Sequence, residues 1–323
     1  MPARHRLVVS LAVSDSRQAS ATLLARQSGA RPMARQDWTV LMLVALTWGA
    51  SFLFIAYGLE SFPPLTVAFG RVFCGAMTLL LVPSARRRVD REDWPRLALL
   101  GLVWMAIPLS LFPIAEQWIS SSLAGLLNGG MPIAVAVIAA IIHRTRPNRR
   151  QGLGLAIGVV GMALISGPSF SGTRQEAIGA GLIIVAVCCY GIATNIAGPL
   201  QQKYGGPTVM LRVESVGALL LAPFGLWGLR NSDPSARSVL AILVMGVLGT
   251  GVAFAAISWV LGRVGALRVS MVTYLIPPVS LTLGVALRDE TVRPINIAGI
   301  IVVLSGAFLL SKAAAPVLSD PPG

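Results

Sequence analysis

Charged residues are scarce in this sequence: they make up 12% of the 323 residues, while hydrophobic residues make up 55%. Soluble domains carry roughly 25% charged residues, so the composition excludes an ordinary soluble protein. Histidine is rarer still, with only His5 and His143, and no Asp lies within a long apolar segment. Neither Gly-x-Ser-x-Gly nor His-Glu-x-x-His occurs. Because general acid–base chemistry needs titratable groups placed together, an intramembrane enzyme is disfavoured.

The three cysteines give no disulfide framework. Cys74, Cys188 and Cys189 all lie in apolar segments, and adjacent cysteines are poorly placed to bridge each other. No zinc-binding spacing and no Gly-Lys-Ser/Thr phosphate loop is present, so we predict no metal, no cofactor and no ATP motor. The net charge of +13 comes without a basic stripe interleaved with aromatics, so nucleic-acid binding is not predicted.

Long apolar stretches, by contrast, follow one another between Trp38 and Ser311. About 20 mostly apolar residues cross a bilayer as a helix, and backbone groups in lipid must be satisfied internally, which favours helices. The sequence therefore predicts an all-α polytopic membrane protein. Hydropathy places ten transmembrane helices near 38–59, 64–82, 97–115, 121–142, 151–167, 179–200, 207–229, 239–260, 267–287 and 295–311.

The two ends of the chain differ in composition from the apolar region. Residues 1–37 form an Arg- and Ser-rich segment that we interpret as a disordered, basic cytoplasmic tail, and 312–323 as a short cytoplasmic C-terminal tail. Translation starting at Met33 is an alternative, because Met-Ala-Arg-Gln-Asp-Trp leads directly into the first span. N-terminal peptide sequencing distinguishes the two starts.

The basic residues predict the orientation. Short cytoplasmic loops carry an excess of Lys and Arg, and most of the 26 here lie in the N-terminal tail and the connections on the same side of the membrane. The loops of the opposite side hold only Arg174, Arg230, Arg237, Arg288 and Arg293. We therefore expect a multi-pass protein of the cytoplasmic (inner) membrane with both termini cytoplasmic.

An internal repeat divides the chain in two. Gly154-x6-Gly161-x4-Ser166 recurs 145 residues later as Gly299-x6-Gly306-x4-Ser311, and other pairs follow in order: Pro132 and Pro277, Trp48-Gly49 and Tyr190-Gly191, Gly75-Ala76 and Gly217-Ala218. Two five-helix repeats are predicted, over 38–167 and 178–311. Since each half has an odd number of spans, the second half is expected to be inverted, a recurring transporter design.

These residues also carry a family resemblance over roughly Trp38 to Ser311. The motifs are Trp48-Gly49-x2-Phe52, Arg71, and the string Pro277…Glu290…Gly299…Gly306 with its weaker echo Pro132…Gly154…Gly161. In these the chain resembles EamA-type members of the drug/metabolite transporter superfamily. The resemblance implies alternating access around a central cavity, often for export of amino acids or other metabolites. Thr145 stands where the family pattern usually has a second Glu.

Helix breakers in matching places of the two halves indicate where a cavity should lie. The fourth span contains Asn128-Gly129-Gly130-x-Pro132, and the ninth contains Tyr274-x2-Pro277-Pro278. Proline removes a backbone donor and kinks a helix. Such kinks serve either packing alone or the lining of a cavity, and the sequence leaves both open.

Aromatic and hydrogen-bonding residues within the spans complete the predicted site. A small-molecule pocket combines apolar walls with a few polar groups, so we predict that the substrate cavity draws on Trp48, Arg71, Trp104, Asn128, Pro132, Tyr190, Thr194, Asn195, Thr250, Trp259, Tyr274 and Pro277. Each has an alternative role, because Trp and Tyr also anchor span ends and Asn and Thr also tie helices together.

Charged residues inside spans are expensive and often functional. Besides Arg71, the spans contain Arg212 and Glu214, which do not face each other on a helix because they are two residues apart. Arg212 can extend to the cytoplasmic surface. Glu214 is the carboxylate clearly within a predicted span and so the proton-coupling candidate; a structural ion pair with an arginine is its other role.

The combined interpretation is a secondary transporter. It would move small polar or amphipathic metabolites, amino-acid-like compounds or drugs among them, with export preferred. A metabolite importer, a channel-like facilitator and a receptor or scaffold are the alternatives. Because ten spans can enclose a complete cavity, we expect a monomer whose partners are a small-molecule substrate and the lipid bilayer.

Overall fold

The computed structural model describes residues 34–142, 149–170, 173–264, 272–273 and 275–313. Most of the two predicted tails, Met33, Thr145 and Tyr274 lie outside these ranges. Within them all regular structure is helical.

Thirteen α-helical segments, two π-helical turns and two short 3₁₀ turns make up the described chain. The α-helices are α1 (Arg35–Leu59), α2 (Pro64–Leu80), α3 (Trp94–Leu100), α4 (Ile107–Ala115), α5 (Ser121–Asn128), α6 (Met131–Ile142), α7 (Arg149–Phe170), α8 (Arg174–Tyr204), α9 (Gly206–Leu229), α10 (Ala236–Gly246), α11 (Ala253–Val264), α12 (Ile276–Arg288) and α13 (Pro294–Ala313). Among the described residues, six continuous helical stretches are long and apolar enough to cross a bilayer. The chain is therefore a helical multi-pass membrane protein, while the number of ten spans stays a prediction.

The outer surface has the character expected of a lipid-facing protein. Large apolar side chains are exposed along the helices, for example Leu219 at 73% and Trp227 at 66% on α9. In water such exposure would be costly. In a bilayer these side chains meet acyl chains instead, so their exposure agrees with a membrane location.

Both groups of predicted helix breakers lie at helix boundaries. Gly129 and Gly130 separate α5 from α6, so the predicted fourth span consists of two helices. Pro277 lies in the first turn of α12, where a missing N–H costs little because the first turn has no intrahelical acceptor for it.

Two π-helical turns interrupt longer helices at related positions. π1 (Gly101–Ala106) joins α3 to α4, and π2 (Val247–Val252) joins α10 to α11. They are separated by nearly the same offset as the glycine motifs. Single π turns are rare and frequently mark functional sites, so the two turns indicate where the halves carry equivalent special structure.

α7 and α13 pack through the repeated glycine motifs, which together form what we call the glycine seam (Gly154, Gly158, Gly161, Gly299 and Gly306). A Cβ on Gly161 would lie 2.5 Å from the Val303 nitrogen and 2.8 Å from the Gly299 oxygen. A Cβ on Gly306 would lie 2.6 Å from the Gly154 oxygen. Under the repeat, Gly161 corresponds to Gly306 and Gly299 to Gly154. The two contacts are therefore images of each other, and the helices run antiparallel.

The same exchange of partners recurs elsewhere between the halves. Three contacts of small residues in one half have counterparts made by the equivalent residues with their roles exchanged. The contacts are Gly49 with Val279 and Gly191 with Ala134, Gly101 with Val216 and Gly246 with Cys74, and Gly217 with Met105 and Gly75 with Thr250. Small residues let helix backbones approach closely in membranes, so the repeated glycines lie where the halves meet.

Candidate substrate cavity

A cavity lies between residues of both halves. Its walls combine aromatic rings with a few polar groups, and comprise Trp48, Ser51, Phe52, Arg71, Trp104, Met105, Leu109, Phe112, Asn128, Met131, Tyr190, Thr250, Phe254, Thr273 and Ile276. Pockets for small molecules combine mostly apolar and aromatic walls with a few polar groups that fix orientation. The cavity therefore has the composition of a small-molecule site.

Two aromatic groups form much of the wall. They comprise Trp48, Trp104 and Phe254 in one group, and Phe52, Phe112 and Tyr190 in the other. The Phe254 ring centroid lies 5.6 Å from that of Trp48 and 6.1 Å from that of Trp104. The Phe112 centroid lies 5.5 Å from that of Phe52 and 6.0 Å from that of Tyr190. Such spacings are favourable for aromatic pairs, so the walls are ordered by mutual ring contact.

The two π turns supply residues to this wall. π1 contributes Trp104 and Met105, and π2 contributes Thr250. The indole Nε1 of Trp48 donates a hydrogen bond of 2.8 Å to the Gly249 carbonyl in π2. A π turn displaces carbonyls from the regular ladder, so this carbonyl can accept from a side chain on another helix.

Arg71 is the cationic residue among the described wall residues. It lies on α2, is half-buried, and donates through Nε to the Thr250 hydroxyl at 3.1 Å. It interacts electrostatically with Tyr190, Glu214 and Glu116. Within the described ranges, however, no carboxylate oxygen lies within the 4.0 Å of an ion pair with Arg71.

Glu214 lies behind the cavity wall rather than in it. Its side chain on α9 is fully buried, and neither carboxylate oxygen has a hydrogen-bond partner in the described part of the chain. A Cβ on Gly75 of α2 would lie 2.6 Å from Oε2. The carboxylate is thus enclosed between α2 and α9, with Arg71 as its nearby charge.

Six predicted residues come together in the wall: Trp48, Arg71, Trp104, Asn128, Tyr190 and Thr250. Two other polar residues tie helices instead. Asn195 Nδ2 donates to the Val135 and Gly191 carbonyls at 3.2 and 2.8 Å, and the Thr194 hydroxyl donates to the Tyr190 carbonyl at 2.7 Å. Their hydrogen bonds correspond to the alternative role of Asn and Thr in helix packing.

Three further predicted residues are described and are not among the wall residues. Trp259 is 45% exposed, Pro132 lies in the first turn of α6, and Pro277 is buried where a Cβ on Gly129 would lie 2.8 Å from its Cγ. Tyr274 falls outside the described residues. The two prolines thus lie at helix starts beside the cavity rather than on its wall.

Several wall residues escaped sequence reasoning. They include Ser51, Met105, Leu109, Phe112, Met131, Thr273 and Ile276. Most are apolar, and an apolar residue in a span has the same signal whether it faces lipid or a cavity. Helical spacing gave one usable hint, because Ser51 is three residues from Trp48 and Phe112 is eight from Trp104.

Glu290, noted above only as a motif residue, holds the start of α5. Its carboxylate accepts hydrogen bonds from the Ser121 amide (3.0 Å), the Ser121 hydroxyl (2.6 Å) and the Ser122 amide (2.8 Å). Burial raises the pKa of Glu290, but these hydrogen bonds outweigh burial and hold the pKa below its usual value. The residue stabilises the helix N-terminus as a charged cap.

Glu116, one residue beyond α4, was not singled out from the sequence. Both of its carboxylate oxygens are buried without a hydrogen-bond partner in the described chain. Burial, reinforced by the charge of Glu290, raises the pKa of Glu116 well above its ordinary value, although Arg288 and Arg71 act in the opposite direction. A charged residue at the end of a span gave no signal distinct from that of a loop residue.

Opposite the Glu290 end, a polar cluster joins the connection before α3 to the end of α8. Lys203 Nζ lies 2.7 Å from Asp90 and 2.8 Å from Asp93. The Tyr204 hydroxyl lies within hydrogen-bond distance of both carboxylates, at 2.8 Å from Asp90 and 2.6 Å from Asp93. Hydrogen bonds from Lys203 hold the pKa of Asp90 and of Asp93 below the usual value. Under the repeat, the Lys203–Asp93 contact corresponds to Ser61–Ser238, whose hydroxyls lie 3.0 Å apart.

A helical multi-pass protein with an aromatic cavity between two related halves has the architecture of a membrane transporter. The sequence matches the EamA-like transporter family twice, over residues 38–167 and 177–312, and the chain belongs to this family. The family and its relatives define a transporter rather than an enzyme.

Relatives with similar sequences cover nearly the whole chain. An uncharacterized transporter of Archaeoglobus fulgidus is 26% identical over 86% of this chain and 99% of its own. A probable amino-acid metabolite efflux pump of Salmonella typhimurium is 25% identical over 86% of this chain and 95% of its own. The inner membrane transporter YedA of Escherichia coli K12 is 23% identical over 87% and 95%. A solved crystal structure shares the fold with a TM-score of 0.62 at 16% identity, covering 87% of this chain and 98% of that one.

Proposed function

We propose that this protein is a secondary carrier that moves small polar or amphipathic metabolites, amino-acid-like compounds among them, across the cytoplasmic membrane by alternating access. The observation that carries the proposal is the aromatic cavity, which residues of both halves line. Export is the proposed direction. The name of the Salmonella typhimurium relative, a probable amino-acid metabolite efflux pump, supports it.

The proposed architecture is ten spans in two inverted five-helix repeats. Support comes from the exchanged contacts, such as Gly161 with Gly299 and Gly306 with Gly154, because only a two-fold relation exchanges partners in this way. An axis in the membrane plane would make the inward-open and outward-open arrangements near images of each other and so close in energy. A cavity complete within one chain supports a monomer.

Glu214 is the proposed proton-coupling residue of this carrier. A buried carboxylate without a hydrogen-bond partner resists ionisation unless a nearby cation stabilises its charge, and Arg71 is that cation. Arg71 also reaches the cavity wall, so substrate binding beside Arg71 would alter the electrostatic surroundings of Glu214. A purely structural charge interaction between the two is the competing role.

The test is an untargeted comparison of metabolites inside cells and in the medium, between a strain lacking the gene and one overexpressing it. A compound that moves into the medium on overexpression and accumulates inside on deletion supports export and names the substrate. Accumulation of the compound inside cells on overexpression would instead indicate import. Saturable counterflow of that compound in proteoliposomes then separates a carrier from a channel-like facilitator.

A further inference from the structure

We propose that the cavity binds a small organic carboxylate with a planar apolar body and a hydrogen-bond donor, and that Arg71 selects its negative charge. The inference rests on the proposed transport function, since it names the substrate class of the same cavity. Arg71, Asn128 and the aromatic walls carry it.

The charge of the wall sets the charge of the ligand. Arg71 contributes a positive charge, and none of the other wall residues that the structure describes is Asp, Glu, Lys or Arg. A charge at membrane depth is expensive to keep, and a wall guanidinium that no described carboxylate ion-pairs disfavours organic cations in the cavity. An anion entering it would reduce the cost of keeping Arg71 charged.

The hydrogen bonds of Arg71 leave a binding edge unused. A guanidinium has five N–H donors in a planar fork, and Nε is occupied by Thr250. The donors on Nη1 and Nη2 have no hydrogen-bond partner in the described ranges. Arg212, the other arginine within a predicted span, differs in that its Nη1 and Nη2 donate to the Ala85 and Arg87 carbonyls at 2.9 and 2.7 Å.

Glu214 does not occupy the position beside the Arg71 guanidinium where a ligand carboxylate would bind. It interacts electrostatically with Arg71, but it is fully buried, it is absent from the wall, and it forms no ion pair with Arg71. Glu116 and Tyr190 are the other titratable groups that interact with Arg71, and neither lies within hydrogen-bond distance of it. The Nη1 and Nη2 donors of Arg71 are therefore available to bind both oxygens of one carboxylate, which is the geometry that favours this pairing.

A second polar anchor defines the rest of the ligand. Asn128 is 8% exposed, and its Oδ1 is buried without a hydrogen-bond partner in the described chain. A buried acceptor left unpaired is costly. Because the Asn128 side chain lies in the cavity wall, rotation of its amide towards the cavity would bring this oxygen to an N–H or O–H of a ligand. Planar rings pack well between aromatic groups such as those around Phe112 and Phe254.

A charge series of one shape tests the inference with the purified full-length protein. The probes are 4-hydroxyphenylacetate, its neutral amide, and the cation tyramine, which share a ring and a hydroxyl. Thermal stabilisation of the detergent-solubilised protein is measured against the concentration of each, because a ligand of the folded state raises the melting temperature. We expect the carboxylate to bind on the order of tenfold or more tightly than the amide, and tyramine more weakly still.

Variants locate the effect at Arg71. In Arg71→Gln the preference of the carboxylate over the amide should disappear, whereas Arg71→Lys should keep part of it because the charge remains. Arg212→Gln is the matched control and should keep the full preference. If Arg71→Gln fails to fold, the charge series on the wild-type protein and on Arg71→Lys still shows whether the cavity prefers the carboxylate and whether Arg71 is responsible.

Three outcomes overturn the inference: binding of tyramine or the amide as tight as that of the carboxylate, an unchanged preference in Arg71→Gln, or no binding of any probe. They are distinct from failure of the proposed function. Metabolite exchange by cells that carry the gene would leave transport standing even if the carboxylate preference is absent.

Discussion

The side chain of Glu214 is fully buried. Both of its carboxylate oxygens are buried too, and neither has a hydrogen-bond partner in the described chain. Arg71 is the charged group that interacts with it across the α2–α9 contact. If Glu214 carries the coupled proton, Glu214→Gln cannot titrate, and the transport rate in proteoliposomes should lose its dependence on an imposed pH gradient.

The control for this experiment is Glu92→Gln, since Glu92 is exposed and is not among the residues of the cavity wall. It should transport with the pH dependence of the wild-type protein. A Glu214→Gln protein that transports with that same pH dependence removes Glu214 as the coupling residue and leaves it a structural role.

Sequence reasoning at this scale found the chemically distinctive part of the wall. Trp48, Arg71 and Asn128 stand out because aromatic, charged and amide side chains are uncommon inside apolar spans. Asn195 stands out equally, yet its amide is used between helices, and only packing separates the two uses. Leu109 and its apolar neighbours carry no such mark, so no sequence pattern could have assigned them to the wall.

Hydropathy located most helices to within a few residues, because length and apolar content determine where a helix can cross lipid. It could not resolve their interruptions. π1 and π2 contain residues that also suit a regular helix, such as Leu102 and Leu248. Their starts coincide with close packing between the halves at Gly101 and Gly246, which no pattern within one span reveals. The sequence predicted a weak point in the helix at Gly129–Gly130. Whether the helix bends there or ends depends on the residues packed against it.

The glycine seam yields a prediction for a single helix. In Gly161→Ala the new Cβ meets the backbone of α13, which cannot turn away as a side chain can, so we expect a loss of about 1–3 kcal/mol. Gly152 lies on the same helix with nothing within 4 Å of its position. Gly152→Ala should therefore be neutral or stabilising, by about 0.5–1 kcal/mol.

Thermal unfolding of both variants in detergent measures this difference. Equal stability of Gly161→Ala and Gly152→Ala would show that α7 and α13 are not held in close contact through the seam. A loss confined to Gly161→Ala would show that the short interhelical distance is a property of the folded protein.

Orientation is a property of the whole molecule, and equivalent positions test it together with the inversion. Arg91 and Ala236 are both exposed and correspond under the repeat. After Cys74, Cys188 and Cys189 are replaced by serine, a single cysteine at position 236 should react with a membrane-impermeant maleimide on intact cells, and one at position 91 only after lysis. Labelling of both positions from one side would contradict the inverted arrangement, and labelling with the sides exchanged would contradict cytoplasmic termini.

The exchange of partners across the glycine seam also bears on how this chain can change over generations. Gly161 meets Val303 and Gly299, not its own counterpart Gly306, so room for a larger residue in one half has to be made in the other. The two halves of the gene are therefore not free to diverge separately. The packing surface of each half limits the size of the side chains that the other half can carry there. Compensating substitutions are therefore expected between the halves rather than within one half.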